Sequence, residues 1–286
     1  MISQLLGGVM VAYLIAGLLF LTAALWSSGR VQSLARGILG GALAAHTVAF
    51  VGRWVASYTL AATAAVPVNL GAKVQLAIFQ VPLSNFYESL VFFSWSLAFL
   101  GLVFLRRYAE SYLGLVAGLL AALVLAYASL SADSQIRPLM PALKSNWLLI
   151  HVLTCFLGYA AFGLAFGAAG LYLFQSFVGT PKHPGPPLLD RLMYRTSVIG
   201  FIFLTLGILT GAVWAETAWG RYWSWDPKET ASLITWFIYA ALLHARLVRG
   251  WQGRPIAWLA VLGFAAVIFT YLGVSFLLGG LHSYAT

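Results

Sequence analysis

Apolar runs of about twenty residues recur along almost the whole chain, separated by short stretches that hold nearly all of its charge. A helix rises about 1.5 Å per residue, so roughly 20 apolar residues cross the ~30 Å hydrocarbon core of a bilayer. The pattern predicts eight spans, near residues 3–26, 38–57, 86–105, 112–130, 147–177, 194–214, 228–248 and 256–279. The fifth run is long enough to extend beyond the bilayer. The first begins MISQLLGG, without a basic start, and is too long for a signal segment, which predicts an uncleaved first span. The expected architecture is an all-α polytopic integral membrane protein, with residues 1–286 forming a single membrane domain. The stretch TPKHPGPP (180–187) reads as a connecting loop. Gly163, Gly167 and Gly170 lie on nearby faces of the fifth run, where small residues let helices approach closely in lipid.

Composition agrees with that reading. Hydrophobic residues make up 62% of the chain and charged residues 8%, where a soluble domain carries roughly a quarter. The net charge of +9 raises the question of an anionic partner such as nucleic acid, and the distribution of charge answers it. One set of loops holds ten cations against two acids, Glu110 and Asp190. The opposite set holds six cations against five acids. Cations concentrate in cytoplasmic loops, so the first set is expected inside and both termini outside. The charge is a topology signal, and no nucleic-acid partner is expected. The lone cysteine, Cys155, forms no intrachain disulfide.

The outer loops include WGRYWSWDPKET (219–230), within an outer segment over 215–230. Part of this stretch is helix punctuation. Asp226 at an N-cap, Pro227 at N1 and Glu229 at N3 form a capping box. The stretch PLSNFYESL (82–90) offers a second box, from Asn85 to Glu88. Capping leaves Trp219, Trp223 and Trp225 unexplained, with Trp214 and Tyr222 beside them. An interfacial aromatic belt spreads over many helix ends, whereas four of the eleven tryptophans fall within these twelve positions, 214–225. Clustered indoles with nearby cations suit a flat, apolar, anionic ligand, stacked by rings and paired through carboxylates.

Histidines at membrane depth are the other chemical feature, because ionisable groups there are rare and tend to be functional. His151 starts the fifth span and His282 follows the last, so both are expected on the side of the tryptophan loop. Two neutral imidazoles can serve as axial ligands to one iron. His244 lies 18 residues beyond Asp226, about 27 Å along a helix, and cannot share their site. His46 falls near the middle of the second span and reads as a buried, hydrogen-bonded histidine; Arg53 shares its face, which is expected to look into the bundle. His183 reads as solvated. The chain has no phosphate-binding loop, no zinc-type cluster and no nucleophile–base pair, so no catalytic residue is assigned.

These stretches resemble a known family. WGRYWSWDPKET matches the tryptophan-rich W-G-x-x-W-x-W-D-x-x-E-T (WWD) signature of haem-handling proteins. With PLSNFYESLVFFSW (82–95), KSNWLLIHV (144–152), the LLHAR block ending at Arg246 and GLHSY (280–284), the chain resembles the CcsA (ResC-like) cytochrome c biogenesis proteins. The resemblance implies that haem b passes from the cytoplasmic side to an outer WWD site, where its vinyl groups meet the Cys-x-x-Cys-His thiols of apocytochrome c. His151 and His282 would be outer axial ligands and His244 an intramembrane ligand. Trp219, Arg221, Tyr222, Trp223, Trp225, Asp226 and Lys228 would line the haem site. Arg137 and Lys144 join Arg221 and Lys228 as possible propionate partners. His46 occurs in a family-like setting, AAHTVAFVGRW, without an assigned ligand role. A separate CcsB/ResB-like partner is implied, the two together forming a cytochrome c synthase of the haem lyase type in a bacterial inner membrane or a thylakoid-type membrane. Two other readings compete: a transporter of another solute, motivated by His46, Arg53 and His244, and a non-catalytic assembly or regulatory protein of related fold.

Overall fold

The computed structural model describes residues 2–64, 67–108, 110–137, 139–179, 185–278 and 280. Among them the regular elements are helical. Eight helices are long and apolar enough to cross a membrane: α1 (Ile2–Leu25), α2 (Gly29–Ala64), α4 (Phe86–Tyr108), α5 (Ser111–Ser131), α6 (Asn146–Val178), α7 (Pro186–Trp219), α8 (Pro227–Leu247) and a last span, Arg254–Leu277. The last span is α9 (Arg254–Ile268), a π-helical turn (Phe269–Gly273) and α10 (Val274–Leu277). The eight expected spans are all present. Two are longer than expected, because α2 and α7 run to 36 and 34 residues and project past the apolar core, and α6, at 33 residues, is as long as expected.

One helix was not foreseen. The ten-residue α3 (Leu70–Phe79), N-capped by Asn69, whose side chain accepts from the Ala72 amide, is too short to span and buries no residue. It contacts α2, where Trp54 Nε1 donates to the Ala77 carbonyl at 2.7 Å.

Lipid offers no water to drive helices together, so they associate through close packing. α1 crosses α5 where a Cβ on Gly118 would come within 2.9–3.1 Å of the Tyr13 and Gly17 backbone. α6 crosses α7 where a Cβ on Gly158 would lie 3.1 Å from the Leu204 amide. Of the three glycines noted on the fifth run, Gly163 and Gly167 sit against neighbouring side chains, whereas Gly170 faces open space.

The two sets of loops fall at opposite ends of the bundle. At the cation-rich end, Arg246 pairs with Asp190 at 2.6 Å, and the Asp190 carboxylate also accepts from the Gly253 amide, tying α7, α8 and α9 together. At the tryptophan-loop end, Arg53 on α2 pairs with Glu88 on α4 at 2.9 Å and donates to the Ser134 carbonyl at 2.8 Å. This pair changes the second capping box. Asn85 caps the Glu88 amide at 2.8 Å, but the Glu88 carboxylate turns to Arg53 and to Ser84 rather than back to the cap. Both partners are buried, and the shared face of His46 and Arg53 does look into the bundle.

Removing one partner of a buried pair leaves an uncompensated charge, typically worth about 3–5 kcal/mol. Arg53→Met should therefore lower the thermal midpoint of the detergent-solubilised protein markedly. Arg53→Met combined with Glu88→Gln should recover at least half of that loss. Equal midpoints for the single and double variants would show that the pair is not coupled.

Candidate functional site

Ser145 starts α6, its hydroxyl accepting from the Trp147 amide at 3.2 Å. His151 follows in the second turn. Its Nδ1–H donates to the Gly207 carbonyl on α7 at 2.7 Å, so Nε2 is the nitrogen carrying the lone pair. The approach depends on glycine. A Cβ at Gly211 would stand 2.5 Å from His151 Nδ1, and one at Gly207 would stand 2.5 Å from Cys155 Sγ. Behind the imidazole, Trp214 stacks at 6.1 Å and 18°. That indole is 2% exposed and donates to the Ala142 carbonyl at 2.9 Å, so it cannot swing. A histidine whose second nitrogen is held by a carbonyl is oriented as metal-bound imidazoles are.

α7 ends at Trp219 with Gly220 in the left-handed region (φ 73°), its amide donating to the Glu216 carbonyl at 2.8 Å. The loop then runs into the expected capping box. Asp226 accepts from the Lys228 amide at 2.9 Å, Glu229 accepts from the Asp226 amide at 3.2 Å, and Pro227 occupies N1. Glu229 also accepts from the Ser224 amide at 2.8 Å. Both acids are thus consumed in building the loop. Gly280 lies against the Asp226 carboxylate; His282 lies outside the described residues, as does His183.

Between these elements is a cavity enclosing about 1250 Å³ of empty space, the open solvent at its mouth included. His151, Trp214, Tyr222, Trp223 and Lys228 line it. The tryptophans do not form a flat shelf. Trp223 meets Trp225 edge-on at 89°, and Trp219 meets Trp214 at 62°. Trp223 and Tyr222 face the cavity, Trp219 backs Trp214, and Trp225 stands outside, 69% exposed. Trp225 also has a positive φ of 59°, a strained conformation for a residue with a large side chain.

The four possible carboxylate partners separate clearly. Arg137 pairs with Asp133 at 2.7 Å on the surface. The Asp133 carboxyl is held below its usual range by the Gln135 amide first and the Arg137 guanidinium second. Lys144 and Arg221 are exposed and do not line the cavity. Lys228 lines it, and its Nζ donates to Ser275 Oγ at 2.9 Å.

The remaining histidines are elsewhere. His46 is fully buried, 3.1 Å from the Tyr13 hydroxyl, and does not line the cavity. It is therefore the hydrogen-bonded core histidine expected from its setting. His244 sits on α8 at the cation-rich end and is exposed, in line with exposed Ile234, Phe237 and Leu247.

The sequence reading missed the far wall. Phe86, Ser89, Phe156, Tyr159 and Tyr271 close the base of the cavity. Tyr271 belongs to the π-helical turn. In a regular α-helix consecutive side chains diverge by about 100°; the extra residue of a π-turn lets Thr270 and Tyr271 both face inward. Thr270 bonds Thr235 at 3.0 Å and Tyr271 bonds Ser89 at 2.7 Å. Apolar periodicity carries no sign of such a turn.

Known proteins share both the sequence and the fold. Residues 83–282 match the model of the cytochrome c assembly protein family. A cytochrome c biogenesis protein CcsA from Chlamydomonas reinhardtii is 46% identical, the match covering 71% of this chain and 60% of that protein. Homologues of the same name from Guillardia theta and Synechococcus sp. (strain JA-3-3Ab) are 42% and 40% identical, the matches covering 76% and 77% of those proteins. Among solved structures, cytochrome c haem lyase CcmF superposes with a TM-score of 0.68 over 93% of this chain and 45% of that one. At 21% identity that likeness is one of fold. The family match spans α4 to the last span, every element that lines the cavity, and the chain belongs to the cytochrome c assembly protein family, as a CcsA cytochrome c biogenesis protein.

Proposed function

We propose that this chain passes haem b from a site beside His244 to the cavity under the tryptophan loop and holds it there for attachment to apocytochrome c. The observation that carries the reading is the His151 imidazole, its Nδ1–H held by the Gly207 carbonyl, its ring backed by Trp214, on the wall of an open cavity beneath the tryptophan loop. A neutral imidazole in that tautomer offers Nε2 to an axial position of iron. His282, by the family pattern, supplies the other. The cation-rich end is cytoplasmic and the tryptophan loop extracytoplasmic, in a bacterial inner membrane or a thylakoid-type membrane.

Attachment needs no catalytic acid or base from the chain. Each substrate thiol adds across a vinyl group: the S–H bond breaks, a C–S bond forms, and the proton ends on the neighbouring vinyl carbon. Nothing is oxidised or reduced. The contribution of the chain is to hold the reacting edge still and reachable, a positioning effect. Trp225, exposed on a strained backbone, is the surface that apocytochrome c meets. His244 faces outward on an apolar helix face, which supports a second subunit of the CcsB/ResB type covering it and completing the inner site.

Protein purified with its partner and supplied with haem should show a Soret band. His151→Ala with His282→Ala should abolish the band of the outer site and cytochrome c maturation together; an unchanged spectrum and normal maturation would refute the ligand pair. Gly211→Ala, which would set a methyl 2.5 Å from His151 Nδ1, should shift that band or weaken haem retention at least several-fold. His244→Ala should stop maturation while leaving the outer site able to load haem added from the tryptophan-loop side. If added haem gives no outer-site band in this variant, the two sites are not sequential.

A further inference from the structure

Lys228 stands out among the polar groups of the cavity. Its side chain is half-buried, reaching inward from the second residue of α8 to Ser275 on α10. Among the described residues no carboxylate lies within ion-pair distance of it. The acids nearest in sequence are already committed: Asp226 caps α8, and Glu229 accepts from Ser224 and from the Asp226 amide. Ser275 itself donates to the Tyr271 carbonyl, so toward Lys228 it acts as acceptor, and one ammonium hydrogen is used. Two donors of a positive charge remain at the wall of a largely apolar cavity. An ammonium removed from bulk water is stable when an anion completes its shell.

We infer that Lys228 is the carboxylate anchor of this cavity, orienting an amphipathic ring ligand with its acid-bearing edge inward, against Lys228 and Ser275. The inference rests on the haem reading above and adds an orientation to it. Haem carries its two propionates on one side of the ring, so anchoring them inside turns the opposite side toward the mouth, where Tyr222 is 60% exposed. The vinyl-bearing part of the ring then becomes the part a docked thiol reaches. Lys228 is a positioning residue, and it takes no part in bond making.

The test compares haem b with its dimethyl ester, which keeps iron and vinyl groups but has no anionic carboxylate. Detergent-purified complex is loaded with each, and the loss of the Soret band to excess scavenging apoprotein is timed. Wild-type protein should release the ester roughly tenfold faster, the scale of one charge-assisted hydrogen bond. Lys228→Met should release both ligands at the same rate, and Lys228→Arg should keep the preference for the acid. The ratio is internal to each preparation, so partial misfolding of a variant does not imitate it. Equal release of acid and ester by wild-type protein, or an undiminished ratio in Lys228→Met, overturns this assignment and leaves the haem reading intact. A wild-type complex that holds neither ligand overturns both.

Discussion

The cavity rests on how closely α6 and α7 approach. Gly158 sets the two backbones nearly in contact, and Gly207 and Gly211 continue the same seam toward the tryptophan-loop end. Only on that seam can an α6 imidazole reach an α7 carbonyl, and that hydrogen bond fixes its tautomer. A seam of glycine in lipid gains from dispersion and from close backbone contact rather than from expelling water. Packing and chemistry are therefore the same feature here. The residues that let the helices touch are those that aim His151.

A second constraint is the treatment of charge at depth. Three acids at the tryptophan-loop end are spoken for: Glu88 by Arg53 and Ser84, Asp226 and Glu229 by the helix start they build. At the opposite end Asp190 joins Arg246 and Gly253. These links tie the helices together, and Glu229, an acid among the residues lining the cavity with Lys228 and His151, is already held by the Ser224 and Asp226 amides. The electrostatic character of the site follows from where the acids are used up.

Much of this was legible before any coordinates. Runs of apolar residues gave all eight spans, since length and hydropathy suffice when the solvent is a bilayer. The capping box at Asp226 and the core role of His46 were also readable, because each depends on local spacing or on one buried face. What escaped was whatever depends on contacts between distant helices. Asn85 to Glu88 has the spacing of a box, but Arg53, 35 residues away, claims the carboxylate. The tryptophans suggested rings stacked on a flat ligand, whereas a tight loop between two fixed helix ends turns them edge-on to one another. Four cations were equal candidates in the sequence, and burial separates one of them. The π-helical turn leaves periodicity nearly unchanged, so the wall it forms was invisible.

The tryptophan loop is pinned at both ends, by the left-handed cap at Gly220 and by the box at Asp226, with Trp225 already in its strained backbone state. Its conformational entropy is therefore surrendered when the chain folds, and not again when another polypeptide arrives. An incoming flexible segment meets a surface that does not have to order itself, so encounter and release can both be quick. On the proposed reading, in which the chain releases each product and accepts the next polypeptide, turnover gains more from such a stiff, weakly adhesive edge than from a tight one.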